Sequence, residues 1–270
     1  MLLKKKLIKL KNIIRQMGSV LVAFSGGVDS AFLLKVASEV LPKGKILAVT
    51  ATSETYPQEE LVFSKRLARK IGVRHLVIKT NELKDKRFAR NPQNRCYFCK
   101  KELFNSLKAI AKKHKLNFVV DASSISDKED FRPGAIAKKE LKVRSPLQEA
   151  GFTKDDIRKS SKQLGLETHD KPSAACLASR IPYGTGISKE LLDRINQAEN
   201  YIRSFGVRQV RVRSYDGLCR IEVEKKDIPR MVKAQERIVA GLKKIGYNYI
   251  TVDLEGFRSG SMNIHMEKKK

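Results

Sequence analysis

Six residues, Ser25-Gly-Gly-Val-Asp-Ser30, combine two adjacent glycines with hydroxyls and a carboxylate, a composition suited to receiving an anion on backbone N–H groups. The glycines allow backbone angles that a Cβ forbids. Asp29 or Ser30 can cap a following helix whose positive end faces the same point. The Walker pattern G-x-x-x-x-G-K-[ST] has no match in the chain, so this phosphate cradle is of another kind. A second group is sulfur: Cys96-x-x-Cys99, flanked by Arg95, Lys100 and Lys101, with Cys176 far downstream. The spacing suits a redox dithiol, half a zinc site or two packed thiols, and a helix start beside those cations favours thiolates. Cys219 alternates with Ile221 and Val223 and reads as a buried core thiol. The stretch Asp127-Lys-Glu-Asp130 offers carboxylates that suit Mg²⁺ or a surface loop equally well. Arg211 and Arg213 alternate with valines, placing two guanidiniums on one strand face, where they suit a phosphate or an exposed basic strand.

These groups hang on a repeated βα pattern. The apolar run Val20–Phe24 reads as a buried parallel strand, and Ala31–Ala37 continues with helical spacing, so the glycine-rich stretch is a strand-to-helix turn. Residues 2–17 predict an amphipathic helix, 45–50 a strand, 57–71 a helix and 75–79 a strand. A helix ending near His114, a strand over 117–121, a short last strand over 141–147 and a helix over 154–164 follow. The expectation is an α/β fold, a doubly wound parallel sheet, in residues 1–180. Loops at strand carboxyl ends face the ligand crevice of such a sheet, which places Ser53 and Asp127 beside the glycine-rich turn. Helix 189–204, strands 207–213 and 218–224, helix 228–243 and strand 248–254 predict a smaller α+β domain over 181–270, ending in a disordered tail Glu267–Lys270. The Pro-, Gly- and Ser-rich stretch 168–188 reads as both a functional loop and a linker.

Composition narrows the class. With 270 residues, 41% hydrophobic and 31% charged, the chain has material for one large or two modest cores. No apolar run approaches the ~20 residues of a membrane span, and the amino terminus lacks a signal-peptide pattern, so a cytoplasmic protein with no membrane partner is expected. The 56 Lys+Arg against 29 Asp+Glu give +27, spread evenly along the chain, which fits a lysine-rich surface as well as a nucleic-acid partner.

The glycine-rich turn resembles the PP-loop, S-G-G-x-D-S, of the ATP pyrophosphatase superfamily, whose members hold the β,γ-pyrophosphate of ATP while a substrate oxygen attacks the α-phosphorus. The resemblance implies contacts to ATP from Ser25, Gly26, Gly27, Asp29 and Ser30, and the place of Ser53 at a strand's carboxyl end suits the lining of the adenosine site. Together with Arg95-Cys-Tyr-Phe-Cys-Lys100, Asp130-Phe-Arg-Pro-Gly134, Val143-Arg-Ser-Pro-Leu147 and Cys176-Leu-Ala-Ser-Arg-Ile-Pro-Tyr-Gly184, it resembles the LarE family of ATP-dependent sulfur transferases over nearly the whole chain. Where relatives show a Gly-Thr-Asn-like run, this chain has Ala122-Ser-Ser124.

The family resemblance implies adenylation of a pyridinium dicarboxylate mononucleotide and replacement of a carboxyl oxygen by sulfur, in building the nickel-pincer nucleotide. It implies two possible sulfur sources: a [4Fe–4S] cluster on Cys96, Cys99 and Cys176, or sacrifice of Cys176 itself. The presence of all three cysteines favours the cluster, supplied by an external sulfide source. The chemistry places Mg²⁺ at Asp29 or Asp127, and the position of Arg180 beside Cys176 in sequence suits either steadying an anion there or bracing the loop; the resemblance implies Arg211 and Arg213 on the substrate phosphate at a homo-oligomer interface. Glu222 is read as a partner of Arg220 instead of a metal ligand, with Glu199 and Asp227 weaker candidates. The rival is a tRNA thiolation enzyme. A PP-loop starting at residue 25, read as leaving no room for a preceding RNA-binding domain, and 7% aromatic content speak against it.

Overall fold

Alternate residues of the central strands bury into opposite cores, as a sheet covered on both faces requires. Val20, Val22, Ile46, Ala48 and Val120 join one apolar cluster, whereas Leu21, Leu47, Val49 and Val119 join another. The computed structural model describes residues 2–128, 133–172 and 175–263. Three of the readings above fall outside them: Asp130-Phe-Arg132 of the acidic stretch, Ser173-Ala174 of the long loop, and the tail.

In chain order the first elements are α1 (Leu2–Met17), β1 (Val20–Ala23), α2 (Val28–Val40), β2 (Ile46–Thr52), α3 (Gln58–Ile71) and β3 (His75–Lys79). They continue with α4 (Lys86–Ala89), α5 (Arg95–Lys113), β4 (Phe118–Val120), α6 (Gly134–Glu140), α7 (Pro146–Glu149) and α8 (Lys154–Gln163). The sheet order is β3-β2-β1-β4, all parallel. Residues of α1, α2, α3 and α8 fill one cluster, and Phe104, Leu107 and Ala111 of α5 fill the other, which makes the sheet doubly wound. The chain leaves β1 toward β2 on one side and returns through β4 on the other, so the switch point lies between β1 and β4. The loops after those two strands open onto that crevice.

The expected strand over 141–147 is absent as a strand. Lys142 sits at φ +52°, Arg144 makes only an isolated parallel bridge to Val120, and Ser145 leads into α7 with Pro146 in its first turn. Proline lacks the N–H that a ladder needs and fits a helix start, so the segment turns into a helix once its single bridge is made.

The chain forms two compact units, residues 1–88 with 94–171, and residues 89–93 with 172–270. The division at 171/172 differs from the boundary at 180/181 read from the sequence, and it assigns the Cys176 loop to the second unit. That unit contains α9 (Lys189–Arg203), β5 (Val210–Tyr215), β6 (Leu218–Val223), α10 (Ile228–Lys233), α11 (Gln235–Ile245) and β7 (Tyr249–Val252). β5 and β6 are antiparallel, and β6 and β7 are parallel. The single helix expected over 228–243 is two helices that meet at Ala234 (φ −100°, ψ 14°). Alanine favours helix, so the propensity of that residue does not account for the break. Val210, Val212, Cys219, Ile221 and Val223 pack with Ile202, Met231, Ile238 and Leu242 in one core. The detached piece 89–93 is tied in by Asn91, fully buried at φ +55°, whose side-chain amide donates to the carbonyls of Pro182 (2.7 Å) and Thr185 (2.9 Å).

Among the described residues no helix is long and apolar enough to cross a membrane.

Candidate functional site

The turn after β1 is built to present its backbone. Gly26 has φ +70°, and a Cβ there would lie 3.0 Å from Ser64 Cβ and 3.2 Å from Ser64 Cα, so both its torsion and the close passage of α3 require glycine. Gly27 is the N-cap of α2 and no side chain caps that helix, so neither Asp29 nor Ser30 takes the capping role expected of it. Ser30 instead sits inside the first turn. Its hydroxyl donates to the Gly27 carbonyl (3.1 Å) and accepts from the Ser25 amide (3.3 Å). The Ser25 and Ser30 hydroxyls lie 3.2 Å apart, and Ser25 Oγ accepts from the Gly27 amide (3.4 Å). The loop thus holds its shape with its own hydroxyls while the positive end of a 13-residue helix faces the crevice.

Two further side chains brace it. The Tyr56 hydroxyl donates to the Ser25 carbonyl (2.9 Å), and burial, reinforced by the Glu60 carboxylate, pushes the phenol up, which keeps it a donor. Lys171 Nζ donates to the Gly26 carbonyl (3.3 Å) and to Glu60 (2.7 Å) and lies 3.6 Å from the centre of the Phe63 ring. Ser53, just past β2, bonds with Thr55 (2.9 Å).

The switch point brings Asp29, in the first turn of α2, and Asp127, from the segment after β4, to one cation. Lys154 Nζ is bonded to Asp29 Oδ2 and lies 3.6 Å from Asp127 Oδ1. Asp127 is held by the Ser124 amide (2.6 Å) and hydroxyl (3.1 Å). Lys154 is fixed at the first position of α8, where Thr153 and Asp156 form a reciprocal capping box and its own amide donates to Ser126 Oγ (3.2 Å). Asp29 Oδ1 is buried with no hydrogen-bond partner. An orphaned carboxylate oxygen and an ammonium standing between two carboxylates are what a divalent cation would exploit, so this donor set fits Mg²⁺.

Cys96 and Cys99 lie in the first two turns of α5, one turn apart, the first exposed and the second half-buried. The charge around them differs from the cationic nest read from the sequence. Lys101 is held by Tyr97 (2.7 Å) and Glu140 (3.2 Å), Lys100 lies over the Phe104 ring, and the Cys99 thiol faces Glu82 Oε1 at 3.7 Å. Glu82 is 5% exposed, accepts from Thr80 (3.0 Å), and leaves Oε2 buried without a partner.

In the second unit Cys176 is exposed and precedes the 3-10 turn Leu177–Arg180. Arg180 is buried at 2% exposure. It clasps Glu199 through two nitrogens (2.7 and 3.0 Å), and its Nη1 donates to the carbonyls of Ala175 (2.7 Å) and Cys176 (3.0 Å) and to Ser179 Oγ (3.0 Å). It braces the cysteine loop. Burial alone would raise Glu199, yet Arg180, with Arg211 and Arg203, holds its carboxyl below the usual range.

Arg211 and Arg213 share a face of β5 as read, but each is only 5% exposed, so neither forms an exposed basic strand. Arg213 bonds Glu222 (2.7 Å), Ser261 Oγ (2.9 Å) and the Ser179 carbonyl (3.0 Å). Glu222 also takes Arg220 (3.0 Å), the pairing inferred from the sequence. Arg211 lies over the Phe257 ring (5.2 Å), and burial, with Arg180 nearby, pushes its guanidinium down to about 9. Asp227 is buried and lies 3.9 Å from Arg230. Cys219 is fully buried, as its alternation implied.

Among the described residues no group of three or more His, Cys, Asp or Glu side chains is arranged to hold a metal ion; Cys96 and Cys99 belong to the first unit and Cys176 to the second. Sequence reasoning missed Lys154, Lys171 and Tyr56, and it underweighted Glu199. The T-x-x-D box at 153–156 marks where α8 starts, but nothing local says where Lys154 reaches.

The chain matches the asparagine synthase family over residues 10–93, a span that includes the glycine-rich loop. It is 36% identical over 255 residues to the pyridinium-3,5-bisthiocarboxylic acid mononucleotide synthase of Lactiplantibacillus plantarum, covering 94% of this chain and 92% of that one. It is 41% identical to an uncharacterised protein of Synechocystis, over 97% of this chain and 98% of that one. An uncharacterised protein of Methanocaldococcus jannaschii is 30% identical, over 96% and 100%.

Proposed function

Because this chain belongs to the LarE family of ATP-dependent sulfur transferases, we propose that it adenylates a carboxylate of a pyridinium dicarboxylate mononucleotide and converts it to a thiocarboxylate. The observation that carries this reading is the 36% identity, over nearly the full length of both chains, to a synthase of the bisthiocarboxylic mononucleotide. It is supported by an uncapped helix end and glycine turn of the shape that pyrophosphate needs.

In the first step a substrate carboxylate oxygen attacks the α-phosphorus of ATP, and pyrophosphate leaves onto the amides around Gly26 and Gly27. Asp29 and Asp127 would hold Mg²⁺, which would offset the charge that gathers on the phosphates. The product is an acyl adenylate, whose leaving group is AMP instead of oxide. Hydrosulfide then attacks the acyl carbon and AMP departs with the carboxyl oxygen, leaving the thiocarboxylate. Arg180 keeps the Cys176 loop in one conformation throughout. Arg211 takes the substrate's phosphate, an anion that would relieve a buried guanidinium pushed down by desolvation, with Arg213 held beside it by Glu222.

Cys96, Cys99 and Cys176 would hold a [4Fe–4S] cluster through their thiolates, and that cluster would supply the hydrosulfide. The donor chemistry fits: none of the three cysteines is in a disulfide, and Cys96 and Cys176 are exposed.

Iron and acid-labile sulfide per chain after anaerobic purification, with intact mass after reaction with ATP and substrate, test this. About four irons and an unchanged mass are expected. Iron-free protein that loses the elements of hydrogen sulfide at Cys176 would assign the sulfur to that residue instead. Cys96→Ala is expected to abolish sulfur transfer and spare pyrophosphate release on forming the acyl adenylate. ATP-dependent thiolation of tRNA without reaction on the mononucleotide would replace the substrate.

A further inference from the structure

The first turn of α2 and the segment after β4 each bring one carboxylate to the switch point, and two carboxylates at one point repel unless a cation joins them. Lys154 is that cation. Its ammonium, at the first position of α8, is bonded to Asp29 and lies 3.6 Å from Asp127, with the carboxylates 22% and 6% exposed and the lysine side chain 40% exposed. The partly solvated head on a four-carbon stem has room to move, whereas its backbone is pinned by the capping box and by Ser126. Asp29 follows the loop glycines by two residues, so the same ammonium stands beside the place where phosphate oxygens gather.

We infer that Lys154 is an exchangeable counter-ion: it holds the Asp29–Asp127 pair in the nucleotide-free protein and turns to a phosphate oxygen of ATP when a divalent cation takes the carboxylates. This rests on the reading that ATP lies on the Ser25–Ser30 loop. Two effects of opposite sign follow. The ammonium competes with a divalent cation when nucleotide is absent, and it adds affinity when nucleotide and cation arrive together. A lysine that merely supported the fold would produce neither.

The test compares wild type, Lys154→Met, Lys154→Arg and Lys159→Met, the last an exposed lysine of the same helix. Nucleotide-free Mn²⁺ binding is read by electron paramagnetic resonance, MgATP affinity by calorimetry, and integrity by melting temperature. Lys154→Met is expected to bind free Mn²⁺ at least about fivefold more tightly and MgATP on the order of tenfold more weakly. Lys154→Arg should restore weak Mn²⁺ binding and recover part of the nucleotide affinity, and Lys159→Met should match wild type. A Mn²⁺ titration of Lys154→Met that overlays wild type, or an unchanged MgATP affinity in the folded variant, overturns the inference. A wild-type chain that binds no MgATP overturns the placement of ATP and the phosphate half of the exchange. The nucleotide-free Mn²⁺ arm separates the two failures, because it needs no ATP.

Discussion

Arg180 and Glu199 meet through two nitrogens and two oxygens, 2.7 and 3.0 Å apart, at 2% and 1% exposure, and the remaining nitrogen of Arg180 carries the carbonyls on either side of the Ala175–Cys176 bond. The pair ties an exposed thiol to helix α9. Glu199 also accepts from Arg203 (2.9 Å) and from the Val212 amide (3.2 Å), so one carboxylate joins the cysteine loop, α9 and β5.

Glu199→Gln leaves Arg180 buried without a counter-charge. Loss of one partner of such a pair destabilises by about 3–5 kcal/mol. Urea unfolding followed by a probe in the second unit is expected to show that loss. Pyrophosphate release from ATP with substrate should persist at a temperature where the variant is folded, while thiolation falls because the Cys176 loop has lost its brace.

Gly26→Ala places a side chain in the left-handed region and against α3. The torsion costs about 1–2 kcal/mol, and the 3.0 Å approach to Ser64 Cβ adds to it. MgATP affinity should drop sharply by calorimetry. Ser64→Gly in the same chain is expected to restore only part, because it relieves the contact with Cβ and leaves the approach to the Ser64 Cα and the torsion.

The four cysteines should separate by alkylation rate in iron-free folded protein at pH 8. Cys96 and Cys176 are exposed and are expected to react first, with half-buried Cys99 slower. Cys219 is fully buried, and burial pushes its thiol up to about 12, so it should be labelled only after unfolding. Peptide mass mapping against time reads all four at once.

His75 makes the first unit sensitive to mild acid. The Thr50 hydroxyl donates to the Phe24 carbonyl (2.6 Å), so its contact with His75 Nε2 (2.8 Å) assigns the ring nitrogen as the donor. Burial, then the charge of Lys65, lowers the imidazole below its ordinary 6.5. The folded form therefore resists a proton that the unfolded chain accepts. Stability from this residue is present above pH 6.5 and declines as pH falls through and below that value. The melting temperature of wild type should fall between pH 7.5 and 5.5, and His75→Gln should flatten that slope.

The first unit was largely legible because a parallel sheet covered on both faces writes itself as short apolar runs: β3 matches residue for residue, and β1, β2 and β4 differ only at their ends. Cys219 was legible for a related reason, since strand alternation assigned it to the core. What failed depended on partners remote in sequence. Leu141–Leu147 is apolar enough for a strand, but a single bridge to Val120 and the proline decide otherwise. Arg211 and Arg213 alternate like surface residues, yet Glu199, Glu222 and Ser261, none of them adjacent in sequence, let them be buried. Lys154 lies 125 residues from Asp29, and only the strand order brings the two together.

The pentapeptide 89–93 has a consequence for how this protein can be inherited and rebuilt. The chain enters the second unit, leaves it and returns, and Asn91 is seated against Pro182 and Thr185 as a latch supplied from upstream. A gene fragment starting at Pro172 encodes every strand of that unit and omits the latch. The unit is therefore no self-contained cassette: residues 172–270 expressed alone leave the carbonyls of Pro182 and Thr185 without their donor, and a swap of 172–270 between relatives seats the incoming unit on the recipient's own residues 89–93.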